Sequence, residues 1–212
     1  MFAIRDFGAP RKGRRRLFLR AVVGAVAFGA LLLVLGFQFS GRKAHADARS
    51  AIQARGEYLV MVAGCNDCHT PWKLGPHGPE PDMRRMLSGH PEGMEVPEAP
   101  VTATGPWTWA GTDTNTAFAG PWGVSYAPNL TPDENTGIGI WTEDIFVNTL
   151  RSGRHWGVAR PILPPMPWQN FARMTDEDLT AIFAYLRFIP PVTNRVPESQ
   201  PAAVQQAATG TQ

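Results

Sequence analysis

Two cysteines three residues apart, followed at once by a histidine, constrain this chain more than any other feature. They are Cys65, Cys68 and His69 in the run Cys-Asn-Asp-Cys-His, and the 212 residues hold no other cysteine. A disulfide scaffold needs more cysteines at wider spacing, and a closed zinc site needs a second ligand pair. A redox pair of the thioredoxin kind needs a βαβ setting, which the residues around Cys65 do not offer. The spacing instead suits covalent haem attachment: two thiols reach the two vinyl groups of one porphyrin, and a ring nitrogen beside them reaches the iron. The expectation is one haem c, held by Cys65 and Cys68, with His69 as an axial ligand.

The opposite face of the iron calls for a soft thioether if the site is to carry electrons. Of the seven methionines, Met166 is singled out by Leu163-Pro164-Pro165-Met166-Pro167-Trp168, where flanking prolines leave few backbone conformations to lose. Met94 and Met174 are the alternatives. His155 would ligate a bis-histidine haem, but just past a helix end a surface or propionate-contacting role suits it better. Trp168 and Trp122 are candidates to pack on the ring or to serve as ordinary core. Arg151, Arg154 and Arg160 either neutralise propionates or are solvated charges.

Charge divides the chain. Its 20 Lys+Arg nearly balance 18 Asp+Glu, but nine of the bases and one of the acids lie in residues 1–46. Residues 47–212 are therefore net −6, which argues against nucleic acid as a partner. The basic residues 1–16 precede an uncharged run, so 17–39 is expected as one transmembrane helix with the basic end cytoplasmic. Ala44-His45-Ala46 offers the competing reading, a cleaved signal peptide. In both readings the later residues are exported, and the expected place is the periplasmic side of a bacterial inner membrane.

After a linker at 40–50, a monohaem domain is expected over 51–191. Ile52, Gly56, Leu59, Val60 and Ala63 mark an amphipathic helix that delivers the cysteines. Thr142 caps a short helix ending before Gly153, and Thr175 with Asp178 caps a last helix striped by Leu179, Ile182, Phe183, Leu186 and Ile189. Residues 70–128, rich in proline and tryptophan, read as a long irregular insertion. Val101–Ala110 and Thr116–Ser125 are expected to pair there as a hairpin. The Pro-, Gln- and Ala-rich tail 192–212 reads as disordered.

CNDCH after an amphipathic helix, a proline-bound Met and a closing helix with Ala184-Tyr185-Leu186 together resemble a class I cytochrome c. The runs NLTPDENTGIGIWTEDIF, LRSGRH and PPMPWQNFARMTDEDLTAIFAYLR are similar to the haem domains of cytochrome c subunits of membrane-bound alcohol and gluconate dehydrogenases. The resemblance spans roughly Ile52 to Pro191. It implies a mainly α fold in which the first and last helices cross near Gly56 and Tyr185, with Asn129 and Thr131 near the haem edge. It departs in carrying one CxxCH and in the insertion before Asn129.

The function so implied is electron transfer rather than catalysis. Single electrons would pass between a membrane redox enzyme, such as a dehydrogenase or quinol-oxidising complex, and an acceptor such as a terminal oxidase. A haem enzyme or gas sensor with an open or labile sixth position is the rival, and a binding module carried by the Trp-rich segment is a third reading.

Overall fold

The computed structural model describes residues 38, 42–43, 46–96 and 107–202. The chain divides into two compact units, Met1–Arg49 and Ser50–Gln212, and the second carries every element discussed below except the first four residues of helix α1. The basic N-terminus and, but for Gln38, the anchor expected over 17–39 lie outside the described residues, as does the tail beyond 202. Among the described residues no helix is long and apolar enough to cross a membrane.

The described residues form five α-helices, two short 3-10 helices and two small antiparallel sheets, so the domain is mixed helix and sheet rather than mainly α. Helix α1 occupies 46–62, α2 is Cys65–His69, α3 Glu143–Ser152, α4 Trp168–Phe171 and α5 Asp176–Leu186. The helix ends follow the capping chemistry. The Thr142 hydroxyl accepts the Ile145 N–H, the Thr175 hydroxyl accepts the Asp178 N–H, and Gly153 closes α3 by donating to the Thr149 carbonyl. Acidic residues at 143–144 and 176–178 sit in the first turns, where the helix dipole favours them.

Helices α1, α3 and α5 enclose the apolar core. Val60, Leu179 and Leu186 are almost wholly buried, and Phe146 meets Phe183 with ring centroids 5.3 Å apart. Each such side chain contributes about 1.5–3 kcal/mol by leaving water. The expected crossing of the first and last helices is present. A Cβ on Gly56 would lie 1.9 Å from the Ala181 carbonyl oxygen and 2.8 Å from the Tyr185 Cβ, so only glycine allows this approach. The four stripe residues on α5 are buried, as is Ile189 just past its end. On α1 only Gly56, Leu59 and Val60 are, whereas Ile52 (44% exposed) and Ala63 face outward, because the crossing is centred on Gly56 and the ends of the stripe diverge from α5.

The segment expected to be irregular holds most of the sheet. Strand β1 (Trp72–Gly75) pairs with β2 (Gly78–Pro81), and β3 (Ala110–Gly111), β4 (Ala117–Gly120), β5 (Gly123–Tyr126) and β6 (Gln200–Pro201) form a four-stranded sheet in that order. Residues 101–106 of the expected hairpin lie outside the described residues, and the rest of it is corrected in register. Thr116–Ser125 is not one strand but folds on itself, Gly120 pairing with Gly123 across Pro121-Trp122, and Ala110 pairs with Ala119. Proline forbids helix and interrupts ladders, so only short strands fit between such turns.

The tail expectation also changes. Residues 192–202 are laid against the domain: Asn194 is 2% exposed, and Gln200 extends the larger sheet beside Val124. The attachment is polar, through asparagine and threonine side chains, and polar composition alone reads as disorder.

Candidate haem site

Gly64, at φ 71°, ends α1 and starts the single turn of α2. On that turn Cys65, Cys68 and His69 fall at i, i+3 and i+4, the spacing that places side chains on one face. Both cysteines are free and partly buried. Burial pushes the Cys65 thiol up to about 11 and raises Cys68 as well, so both are protonated thiols at neutral pH. Thr70 follows, wholly buried; its hydroxyl donates to the Asn66 carboxamide at 2.7 Å and accepts the Leu87 N–H at 2.8 Å.

His69 is almost completely buried, and its Nδ1 lies 2.9 Å from the Pro128 carbonyl oxygen. A carbonyl only accepts, so the proton is on Nδ1 and the lone pair on Nε2. Burial pulls the imidazole below its ordinary value, which keeps it neutral, the form that binds a metal. Among the described residues no hydrogen bond engages Nε2. Two thiols and one oriented neutral imidazole on a single turn are the donor set that a covalent haem requires.

The Pro128 carbonyl is held by a strap of two segments, 87–90 and 127–130. Gly89 N–H donates to the His69 carbonyl (2.7 Å), His90 N–H to Ala127 (2.9 Å) and Leu130 N–H to Leu87 (2.9 Å). Gly89 lies so close to 127–129 that a Cβ there would be 2.5 Å from the Ala127 oxygen.

The structure places the remaining predicted residues unequally. Met166 is partly buried against the core. Its neighbours are tied down, since Ser125 Oγ donates to the Pro164 carbonyl at 2.6 Å and Trp168 N–H to the Met166 carbonyl at 2.9 Å. Met86 and Met174 are buried in the same manner. Met94 has its sulfur 3.8 Å from the Thr114 hydroxyl, and Met61 has its sulfur 3.2 Å from the Asn66 amide. Trp168 lies across Gly153 at the end of α3, where a Cβ would be 2.3 Å from its ring.

Asn129 and Thr131 are buried, but their polar atoms serve the protein itself. Asn129 Oδ1 accepts the N–H and the hydroxyl of Thr131, while its Nδ2 donates to the Val192 carbonyl at 2.7 Å. Of the arginines, Arg151 is committed to Asp176 and the Ala172 carbonyl, Arg154 to the Ala159 carbonyl, and Arg160 to Glu198. His155 stands edge-on to Trp141 rather than among the cysteines. Three contributors went unread in the sequence: Thr70, the Pro128 carbonyl and Asn194. A backbone carbonyl leaves no residue signature, and lone threonines and asparagines are too common to give one.

Comparison with known proteins finds cytochrome subunits of dehydrogenases among the relatives. The chain is 30% identical to the cytochrome c subunit of a quinone alcohol dehydrogenase of Gluconobacter oxydans, over 85% of this chain and 29% of that one. It is 30% identical to the gluconate 2-dehydrogenase cytochrome c subunit of Pantoea cypripedii, over 73% of this chain and 27% of that one. It is 27% identical to the fructose dehydrogenase cytochrome subunit of Gluconobacter japonicus, over 84% and 30%. The chain thus spans less than a third of the length of these relatives. No protein-family model matches it.

Proposed function

The chain is a relative of c-type cytochromes, resembling the cytochrome c subunits of dehydrogenases, and from that premise we propose that it carries a single haem c and passes single electrons. The observation that carries this reading is His69, its Nδ1 proton fixed on Pro128 with both thiols on the same turn. When bound, the haem supplies an iron that alternates between two oxidation states. Cys65 and Cys68 would hold the haem covalently, each thiol adding its S and H across one vinyl C=C with no electrons gained or lost. His69, through Nε2, and Met166, through its thioether, would hold the iron, the thioether favouring the ferrous form. With both residues bound to it the iron would offer no position to a substrate, and the chain's part would be to hold it in one geometry while single electrons pass.

Residues 17–39 hold the protein in a bacterial inner membrane with the haem domain on the periplasmic side. The partner is a dehydrogenase or a quinol-oxidising unit on one side and an acceptor such as a terminal oxidase on the other. A net charge of −6 over residues 47–212 favours a basic docking face on a soluble partner, with an association rate that falls as salt rises.

The deciding experiment is mass spectrometry of the denatured, acid–acetone-extracted protein. One haem retained on the chain, and lost in the Cys65→Ser/Cys68→Ser double variant, supports the assignment; haem released entirely into the solvent overturns it. Met166→Ala should lower the reduction potential and admit carbon monoxide with haem still attached. An unchanged spectrum and potential would place the ligand elsewhere.

A further inference from the structure

Asn194 lies beyond the last helix, in the tail, yet every hydrogen-bonding group it has is engaged. Its Nδ2 donates to the Ser88 carbonyl (2.7 Å) and the His90 carbonyl (2.8 Å). Its Oδ1 accepts the Glu92 N–H (2.8 Å) and an Arg85 guanidinium N–H (3.3 Å). Its own N–H donates to the Thr136 hydroxyl (3.0 Å), and its carbonyl accepts from Asn129 (3.4 Å). The two carbonyls it holds flank Gly89, whose N–H donates to the His69 carbonyl, and Asn129 follows directly on Pro128, whose carbonyl receives the His69 ring proton. The Asn194 side chain therefore clamps the 88–92 half of the strap, its backbone carbonyl meets Asn129 of the other half, and the His90 and Leu130 N–H groups tie the two halves together behind His69.

We propose that Asn194 is a positioning residue for the axial histidine, fixing the length and direction of the His69 Nδ1–H···O=C Pro128 bond and through it the electron density on Nε2. The proposal rests on the reading of His69 as an iron ligand. The physical link is second-shell tuning: a strong hydrogen bond from Nδ1–H makes the imidazole a better donor, which favours ferric iron. Loosening the clamp weakens that bond and favours the ferrous form.

The test is spectroelectrochemical titration of the full-length holoprotein with Asn194→Ala and Asn194→Asp, the latter keeping the acceptor for the Glu92 N–H while losing the donor side. Both should retain haem and shift the oxidised-to-reduced equilibrium toward reduced by between twofold and tenfold, the latter being a rise of about 59 mV for one electron. Thr175→Ala, which removes the α5 cap far from the strap, should lower the melting temperature and leave the potential in place. A lowered melting temperature with an unchanged potential at Asn194 overturns the proposal.

A second readout uses the unmodified holoprotein. In it the His69 ring proton should exchange with solvent in the same slow class as the Gly89 and Leu130 amide protons; a ring proton exchanging at least tenfold faster than those amides overturns the proposal even if the variants do not accumulate. The underlying reading fails separately: a His69→Ala protein with an unaltered Soret spectrum shows that His69 is not a ligand.

Discussion

The helical half of the domain and the strap half are held together by different physics. Where α1, α3 and α5 meet, the contacts are Leu, Ile, Val and Phe side chains on helical stripes, with one close approach at Gly56. Where 70–90, 127–131 and 192–200 meet, they are Thr70, Asn129, Thr131 and Asn194, each buried and each hydrogen-bonded. His69 stands at the junction, on a turn delivered by the first half and oriented by a carbonyl of the second. Apolar packing tolerates small shifts and sums over many atoms, whereas a hydrogen-bonded clamp is all or nothing at each atom. Stability should therefore be spread in one half and concentrated in a few atoms in the other.

The comparison can be broken most forcefully in the helical half. Leu179→Ala should cost about 3 kcal/mol or more, through lost transfer energy and the cavity left behind, read as a fall in the midpoint of denaturant unfolding. Gly56→Ala should follow at about 2 kcal/mol. Its Cβ would overlap the Ala181 carbonyl, and the strain outweighs the gain of about 1 kcal/mol in helix propensity; a Gly56→Ala protein that melts higher than the parent would show that the helices separate freely.

In the strap half, Asn194→Ala should cost about 1–3 kcal/mol by leaving the buried Ser88 and His90 carbonyls without a donor. Hydrogen exchange should locate that loss in 87–92 and leave α5 protected. Uniform loss of protection would erase the distinction between the halves.

The mildest effect is one of pH. His90 is buried, with Nδ1 on the Thr116 hydroxyl (2.9 Å), Nε2 on the Met94 carbonyl (3.2 Å), and Tyr126 and Arg85 as neighbours. Burial holds its imidazole below the ordinary value, so the unfolded chain binds the proton first. Its contribution is present above about pH 6.5 and declines as pH falls below that, until the folded His90 is itself protonated. Thermal melts at pH 8 and pH 5 should differ less in His90→Gln than in the parent.

The same division decides how much of the molecule could be read beforehand. The caps at Thr142 and Thr175 and the stripe of the last helix were legible because capping and 3.6-residue periodicity are local rules written in side-chain type, whereas the Gly56 crossing was expected from the family resemblance. Cys65, Cys68 and His69 were legible because their spacing is the site. The sheet at 110–126, the ordered tail and the role of Pro128 were not. Their partners are backbone groups or lone polar residues far away in sequence, as Asn194 is 106 positions from Ser88. The expectation that Asn129 and Thr131 lie at the haem edge came from resemblance alone; in the structure their polar atoms join 129 and 131 to each other, to Thr136 and to the 192–194 segment.

That separation in sequence has a consequence for how the chain matures. Chains are made from the N-terminus, so the reactive turn emerges while the residues that will lock the histidine side are still unmade. Asn194 is among the last of the described residues to appear. The backbone hydrogen bonds of α1 and α2 close within a few residues of sequence, but the clamp behind His69 cannot exist before nearly the whole domain has emerged. The thiols and the imidazole are thus offered early in an open setting and enclosed late, which makes the order of synthesis itself a gate on when the cofactor pocket closes.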